Sequence, residues 1–167
     1  MNIERNATMK SKTVYIAFGA ILMIASYAVH AEPAPAQPTH GACALVKAED
    51  LKGLFGAVPS YSSKKGSCTW TVAGSPTKLI TTKFPDEGMA AEMAYSNIQK
   101  NAAKGGEIIS VKGLGDRAFA RFNRAGVVLV TIKKGILLQI IYATGTLGTQ
   151  KELDALQPIA KKAIADF

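Results

Sequence analysis

The stretch that decides the fold is Gly126–Thr144, which reads GVVLVTI, then KKG, then ILLQIIYAT. β-Branched and aliphatic residues fill both runs, and such runs are typical of strands buried in a sheet. The lysines and glycine between the runs predict a turn, so we expect a β-hairpin near the middle of the sheet. Lys133 and Lys134 interrupt the apolar residues, which excludes a membrane-spanning helix of about 20 apolar residues here.

The register of this hairpin depends on the length of its loop. A three-residue loop, Lys133–Gly135, would place Ile132 opposite Ile136 and sort the side chains onto two faces. We assign to the core the almost wholly apolar face, which holds Val128, Val130, Ile132, Ile136, Leu138, Ile140 and Tyr142. The other face carries Thr131 and Gln139, and we expect it to be thinly covered or to line a small pocket. A two-residue loop would shift the register and invalidate this assignment.

The N-terminus has the pattern of a secretory signal, residues 1–31. Lys10 and Lys12 precede an apolar core, Val14–Val29, and small residues precede Glu32. One alternative to a cleaved signal is an uncleaved membrane anchor. Separately, Met9 is an alternative to Met1 as the start of the chain. Residues 32–41 form a Pro/Ala-rich linker, and residues 42–167 are predicted to form a single domain. We therefore expect a periplasmic or secreted protein, without a stable membrane anchor if the signal is cleaved.

Periodicity along the rest of the chain predicts three helices and four further strands around the hairpin. The expected elements are a short helix Ala48–Phe55, strands Gly66–Val72 and Thr77–Phe84, a helix Asp86–Lys104, strands Glu107–Val111 and Arg117–Phe122, and a helix Thr149–Phe167. Short turns between strands favour antiparallel pairing. The fold class is therefore α+β, a mainly antiparallel sheet of about six strands packed by two long helices and one short helix.

Two details of the helices are open to test. The helix Asp86–Lys104 is expected to place Met89, Met93 and Ile98 on its apolar side, together with Ala90 and Ala94. The last helix should begin with a capping box at Thr149 and be kinked or divided at Pro158. Val58–Gly66 is expected to be a polar loop.

Several chemistries are missing from the predicted domain. The two histidines, His30 and His40, lie in the leader and the linker, which excludes Ser-His-Asp and Cys-His catalysis and the usual zinc sites. We identify no catalytic residue, metal ligand or cofactor motif. Cys43 and Cys68 are predicted to form a disulfide, because both lie in the exported part of the chain. A lipid anchor on Cys43 is rejected, since the residues before it lack the required apolar position.

Val111–Phe119, which reads VKGLGDRAF, is the most motif-like run. One interpretation is a glycine-rich loop that binds a ligand through its backbone amides and Arg117. The favoured interpretation is a turn between two strands, in which Gly113 and Gly115 allow positive φ and Asp116 caps the turn with its own side chain.

Basic residues suggest one possible binding surface. Arg117, Phe119 and Arg121 share a strand face that Lys133 and Lys134 would extend if this strand lay beside the hairpin. Such a patch would suit an anionic glycan, a lipid headgroup or an acidic protein, and the chain's net charge of +8 permits this. The favoured alternative is an ordinary solvated strand face. Nucleic acid is not expected for an exported domain with few aromatic residues.

The domain resembles a loose family of small exported bacterial domains of unknown function, common among actinobacterial lipoproteins. The similarity rests on Cys43 and the short helix ending at Gly56, on Cys68-Thr-Trp70, on the loop Val111–Ala118 and on the closing amphipathic helix. The resemblance implies two structural cysteines and no established activity. This chain departs from the family by lacking a lipid-anchor site.

The function that these observations favour is a non-enzymatic binding module for an unknown protein or an anionic envelope component. The first alternative is an inhibitor or immunity-type protein that blocks a secreted enzyme, through a surface loop such as Tyr61–Lys65. The second is a histidine-independent hydrolase, which would require Glu107, Ser110 or Asp116 to meet another polar group in a cleft. No pattern in the sequence defines an oligomeric state.

Overall fold

The structure, a computed structural model, describes residues 41–165 and residue 167. The predicted signal peptide and nearly all of the predicted linker lie outside these residues. No helix among the described residues is long and apolar enough to span a membrane.

The described elements are seven strands, three helices and two short 3₁₀ segments. Their bounds are 3₁₀ segments Gly41–Cys43 and Ala48–Leu51, α1 Lys52–Phe55, β1 Ser60–Lys64, β2 Ser67–Thr71, β3 Lys78–Glu87, α2 Met89–Lys104, β4 Ile109–Ser110, β5 Arg117–Asn123, β6 Gly126–Lys133, β7 Ile136–Ala143 and α3 Gln150–Ala163. The strands form one sheet in the order β1-β2-β3-β7-β6-β5-β4. Every neighbouring pair is antiparallel. The α+β class with two long helices and one short one is confirmed.

The hairpin β6–β7 occupies the middle of the sheet, as predicted, but its register is not the predicted one. Lys133 pairs with Ile136, so the loop has two residues, Lys134 and Gly135. Their φ angles of +48° and +73° suit the tight turn that matches strand twist. The Lys134 N–H donates to the Asp116 carboxylate (2.6 Å), and the Gly88 N–H donates to the Gly135 carbonyl (2.9 Å). These two remote contacts hold a turn that the local sequence does not specify.

The observed register changes which side chains of β6 share a face with which side chains of β7. The α3 face of the hairpin carries Val127, Leu129, Thr131, Leu138, Ile140 and Tyr142. The α2 face carries Val128, Val130, Ile132, Leu137, Gln139 and Ile141. The predicted core face, which mixed members of both sets, is therefore wrong. Leu138 belongs to the core as expected, and so does Leu137 on the opposite face.

The α3 face forms the larger core. Helix α3 lies on β6 and β7 and contributes Leu153, Leu156 and Ile159. The capping box at Thr149 is confirmed: its side chain accepts from the Glu152 N–H, and the Glu152 carboxylate accepts from the Thr149 N–H. The helix continues through Pro158, so the predicted division is wrong. Buried side chains on both sides of this proline hold both halves against the sheet.

The disulfide closes the β2 end of the α3 face. Cys43 and Cys68 are bonded, which confirms the predicted pairing, and both are buried. Cys68 and Trp70 point inward from β2. The Thr81 hydroxyl on β3 donates to the Ala42 carbonyl (3.2 Å). The 3₁₀ segment that contains Ala42 and Cys43 is therefore attached to β3 as well as to β2. These links attach the start of the domain to the sheet.

The second long helix differs from its prediction at its start and in its orientation. Strand β3 continues to Glu87, and α2 begins at Met89 after Gly88, whose φ is +60°. Met89 and Met93 are 82% and 63% exposed, so the predicted apolar side is wrong in these positions. The residues that α2 buries are Ala91 and Tyr95. A small residue and a tyrosine fit close to the sheet where the methionines were expected.

Two strand predictions also need correction. Ser60–Lys64 lies in the predicted polar loop, yet it forms the edge strand β1, with four of its five residues exposed. Its polarity is compatible with an edge position, where a short strand and a charged residue such as Lys64 discourage pairing with other chains. Strand β4 is confined to Ile109–Ser110, shorter than the expected Glu107–Val111.

Candidate functional site

Three of the predicted basic-patch residues lie on β5 beneath α2. Arg117, Phe119 and Arg121 alternate along β5 on its α2 face, as the sequence predicted. The Arg117 guanidinium forms an ion pair with the Glu92 carboxylate and lies over the Tyr95 ring, 4.7 Å from its centroid. Phe119 is buried against Tyr95. Helix α2 therefore covers much of a face that was expected to be open.

The two lysines of the predicted patch lie elsewhere. Lys133 is on the α3 face, where its ammonium donates to the carbonyls of Ile164 (2.7 Å) and Ala165 (3.2 Å). A cation at this position satisfies carbonyls at the end of α3 and complements the helix dipole. Lys134 lies in the hairpin turn. The five residues therefore do not form a single surface.

Thr131 and Gln139 were predicted to share a face, and the corrected register separates them. Thr131 is 1% exposed on the α3 face, and its hydroxyl donates to the Leu114 carbonyl (3.2 Å). Gln139 pairs laterally with Val130 and lies half-buried on the α2 face. The shared pocket face is thus wrong, while Gln139 does border a groove.

That groove, here called the α2 groove, lies between the C-terminal half of α2 and the sheet. Its volume is about 320 Å³, within the range of small-ligand sites. Its lining is mainly apolar and consists of Ile98, Asn101, Ala102, Phe119, Arg121, Val128 and Gln139. The structure therefore brings together three predicted site residues, Phe119, Arg121 and Gln139, in one concave surface.

Arg121 supplies the charge in the α2 groove. Its Nη2 donates to the Gly105 carbonyl (2.6 Å), just after α2 ends. Its Nε is buried and has no hydrogen-bond partner among the described residues. A guanidinium is favoured at a helix C-terminus by the helix dipole, and Gly105 leaves it room, because a Cβ there would overlap it. Part of the donor capacity of Arg121 is thus unused by the protein.

The loop between β4 and β5 packs tightly against the hairpin. Gly113 and Gly115 have φ of +73° and +64°, as the turn interpretation expects. A Cβ on Gly115 would lie 2.5 Å from the Ile132 carbonyl oxygen. The Asp116 N–H donates to that same carbonyl (2.8 Å). The Asp116 carboxylate binds the Lys134 N–H rather than capping its own turn as predicted. The loop therefore holds the hairpin turn in place.

A second concave surface, here called the loop groove, lies between this loop and α2. Its volume is about 350 Å³. Its lining is mainly polar and consists of Tyr95, Gln99, Ser110, Val111, Lys112, Gly113, Leu114, Gly115, Asp116, Arg117 and Ala118. Ser110 and Asp116, named for a possible hydrolase, both border it, but no hydrogen bond joins them in the part of the chain that the structure describes.

Sequence reasoning missed the residues that α2 contributes to the two grooves. Tyr95 and Gln99 face the loop groove, and Ile98, Asn101 and Ala102 face the α2 groove. The spacing of Ala91, Tyr95, Ile98 and Ala102 is helical and would have identified this side. The methionines concealed the signal because they are more hydrophobic than alanine. Burial raises the pKa of the Tyr95 hydroxyl above the ordinary tyrosine value.

The fold and these surfaces define the class of the protein: a small α+β domain with a seven-stranded antiparallel sheet and one disulfide among its described residues. No group of side chains suited to a metal ion occurs in the described residues. No family model, curated protein or solved structure matches the chain at significant similarity. The resemblance to small exported bacterial domains remains a prediction made from the sequence.

Proposed function

We propose that the protein is an exported, non-enzymatic binding module whose α2 groove takes an amphipathic ligand with an anionic end. The observation that carries this proposal is the position of Arg121 at the wall of a mainly apolar groove. Export is supported by the signal-like N-terminus and by the disulfide, since disulfides persist in oxidising compartments.

The lining of the α2 groove divides the ligand into two parts. Ile98, Phe119 and Val128 offer hydrocarbon surface, and burial of apolar surface drives binding without directional contacts. Arg121, Asn101 and Gln139 offer polar groups at the same groove. The Arg121 guanidinium uses its Nη2 on the Gly105 carbonyl, and a charged acceptor forms stronger hydrogen bonds with such a cation than a neutral one does. An acyl chain with a carboxylate end fits both parts.

The groove is also continuous with a partly uncovered row of the sheet. Arg121 pairs laterally with Val128, Val128 with Ile141, and Ile141 with Ile80. All four are half-buried on the α2 face. A ligand longer than the groove can therefore extend along apolar side chains without rearranging the sheet.

The test uses decanoate and decanol as probes, competing against the neutral fluorescent dye N-phenyl-1-naphthylamine. Wild-type protein should bind decanoate more tightly than decanol, because Arg121 pairs with the carboxylate. Arg121→Gln should remove this preference while decanol binding stays. An unchanged preference in Arg121→Gln would exclude the proposed head-group contact.

Filling the groove gives a second, independent test. Ala102→Phe should lower the affinity for both probes about tenfold or more, since the added ring occupies their volume. Ala155→Phe is the matched control, because Ala155 lines a different depression between α1 and α3. Equal losses in both variants, or no loss in either, would show that the α2 groove is not the site. The single tryptophan, Trp70, reports whether each variant is folded.

A further inference from the structure

The loop groove differs from the α2 groove in chemistry, and it does not depend on the function proposed above. Its side chains are polar: Tyr95 and Gln99 come from α2, Ser110 and Lys112 from the loop side. The two grooves share no lining residue. A ligand of the loop groove must therefore be recognised by hydrogen bonds rather than by apolar burial.

Tyr95 has an unused hydroxyl in this groove. The residue is 2% exposed, and its ring packs edge-on against Phe119 (5.5 Å) and beneath the Arg117 guanidinium. Its hydroxyl has no hydrogen-bond partner among residues 41–165 and 167. Among the described residues, the unpaired side-chain atoms that are fully buried are Trp70 Nε1 and Arg121 Nε. The Tyr95 hydroxyl is unpaired but is not among them, so it is not fully buried. The hydroxyl therefore reaches the groove that Tyr95 lines.

The loop adds backbone donors. The N–H groups of Val111 and Asp116 are used within the fold, by the carbonyls of Ala118 and Ile132. The Leu114 N–H closes a turn back to Val111, whereas the N–H groups of Gly113 and Gly115 make no hydrogen bond within the described chain. These two amides belong to positive-φ glycines of one turn and supply backbone donors beside the groove.

The charges that border the groove favour an acceptor-rich ligand. Lys112 and Arg117 are cationic, and Asp116 is the one acidic residue of the lining. The Asp116 carboxylate is already bound to the Lys134 N–H. Cationic side chains thus outnumber acidic ones in the lining of this groove. Tyr95, buried apart from its hydroxyl, is held rigidly, so little entropy is lost when that hydroxyl binds.

We propose that the loop groove binds an oxyanion, a carboxylate or phosphate group, through the Tyr95 hydroxyl, the amides of Gly113 and Gly115, and Lys112. Glu92 limits this site because its carboxylate holds the Arg117 guanidinium in an ion pair at the edge of the groove. The site is thus a second binding surface on the α2 face, specific for charge where the α2 groove is specific for hydrocarbon.

The experiment titrates purified protein with inorganic phosphate, with acetate and with glycerol, at constant ionic strength kept with sodium chloride. The amide chemical shifts of Gly113, Leu114 and Gly115 should change and reach saturation with phosphate, with acetate or with both. Comparing the two titrations shows which oxyanion the groove binds more tightly. Glycerol should cause no such change. Saturable shifts with glycerol, or shifts with chloride alone, would overturn the proposal.

Tyr95→Phe is the deciding variant, because it removes a hydroxyl that the fold does not use and keeps the ring packing. It should weaken oxyanion binding about tenfold, the effect of one hydrogen bond to a charged group. Tyr142→Phe is the matched control on the opposite face of the sheet. Equal affinities of Tyr95→Phe and wild type, with both folded, would exclude the site.

Glu92→Gln sharpens the test in the other direction. Releasing Arg117 from its carboxylate partner should tighten oxyanion binding about twofold to fivefold, as expected for a charge near the surface. Weaker binding in Glu92→Gln would contradict the arrangement, because it would mean that the ion pair builds the site rather than competing with it.

Discussion

The two faces of the sheet use the same strands for different purposes. On the α3 face, a helix with five buried residues, the segment around Cys43 and the disulfide cover the strands. On the α2 face, a helix with two buried residues leaves a groove on each of two sides. The comparison teaches that stability is concentrated on one face, while the lightly covered face keeps polar and apolar surface accessible.

The polar groups of the two faces differ in a similar way, with one exception on the α3 face: Trp70 Nε1, buried in the larger core, has no hydrogen-bond partner among the described residues. On the α3 face, the hydroxyls of Thr81 and Thr131 donate to backbone carbonyls, and the ammonium of Lys133 does so as well. On the α2 face, the Tyr95 hydroxyl and the Arg121 Nε have no partner within the described residues. Buried polar groups are usually satisfied, so unsatisfied ones beside grooves are the positions where a ligand has most to add.

The largest expected effect tests where the stability lies. Leu138 is fully buried on the α3 face, and Leu138→Ala should lower the free energy of unfolding by about 2–5 kcal/mol, through lost transfer and the cavity left behind. Ile141 lies on the same strand but is half-buried on the α2 face, so Ile141→Ala should cost less, about 1–2 kcal/mol. Denaturant unfolding followed by Trp70 fluorescence measures both. Equal losses would abolish the contrast between the faces.

The second effect concerns the disulfide, which belongs to the α3 face. Cys43 and Cys68 are 25 residues apart, and closing a loop of that length removes chain entropy worth about 3.5 kcal/mol from the unfolded state. Replacing both cysteines by alanine should reduce the free energy of unfolding by about this amount. Reductant should lower wild-type stability to the level of the double variant and leave the variant unchanged. A variant as stable as oxidised wild type would mean that packing alone closes this face.

The elements that could be predicted from the sequence are those set by local pattern. The central hairpin followed from two apolar runs around Lys133–Gly135, and the capping box followed from Thr149 and Glu152. The disulfide followed from having two cysteines in the predicted domain. In each case, the residues that form the feature are adjacent in sequence or are the sole candidates of their type.

The hairpin register could not be predicted, because it depends on residues distant in sequence. A two-residue turn requires positive φ at Lys134, and the Asp116 carboxylate and Gly88 amide that support this turn belong to other elements. One residue of register then decided that Thr131 and Gln139 lie on opposite faces. The predicted pocket face, which combined Thr131 with Gln139, was wrong for this reason.

The grooves themselves were also beyond the sequence. Phe119, Arg121 and Gln139 could be selected as candidates from residue type, but their association depends on where α2 lies across the sheet. That position follows from the packing of Ala91 and Tyr95. Small or amphipathic residues in contact with a sheet give a weak hydropathy signal, whereas Met89 and Met93 give a strong one and are exposed.

The smallest expected effect compares one tyrosine on each face at alkaline pH. Burial raises the pKa of Tyr95 on the α2 face and of Tyr142 on the α3 face above the ordinary value of 10.0, and Glu152 raises that of Tyr142 further. Since each hydroxyl loses its proton more readily in the unfolded chain, stability is fully present below about pH 10 and falls as the pH rises through the folded pKa.

Phenylalanine at either position removes one such group. In Tyr95→Phe and in Tyr142→Phe, one late-titrating component of the tyrosinate absorbance should be missing. Between neutral and alkaline pH, the free energy of unfolding of each variant should fall less than that of wild type. Lysines titrate in the same range, so the informative quantity is the difference between each variant and wild type. Adding phosphate then separates the faces: an anion in the loop groove raises the pKa of Tyr95 and leaves that of Tyr142 unchanged. An equal response at both tyrosines would mean that the α2 face offers no more access than the α3 face.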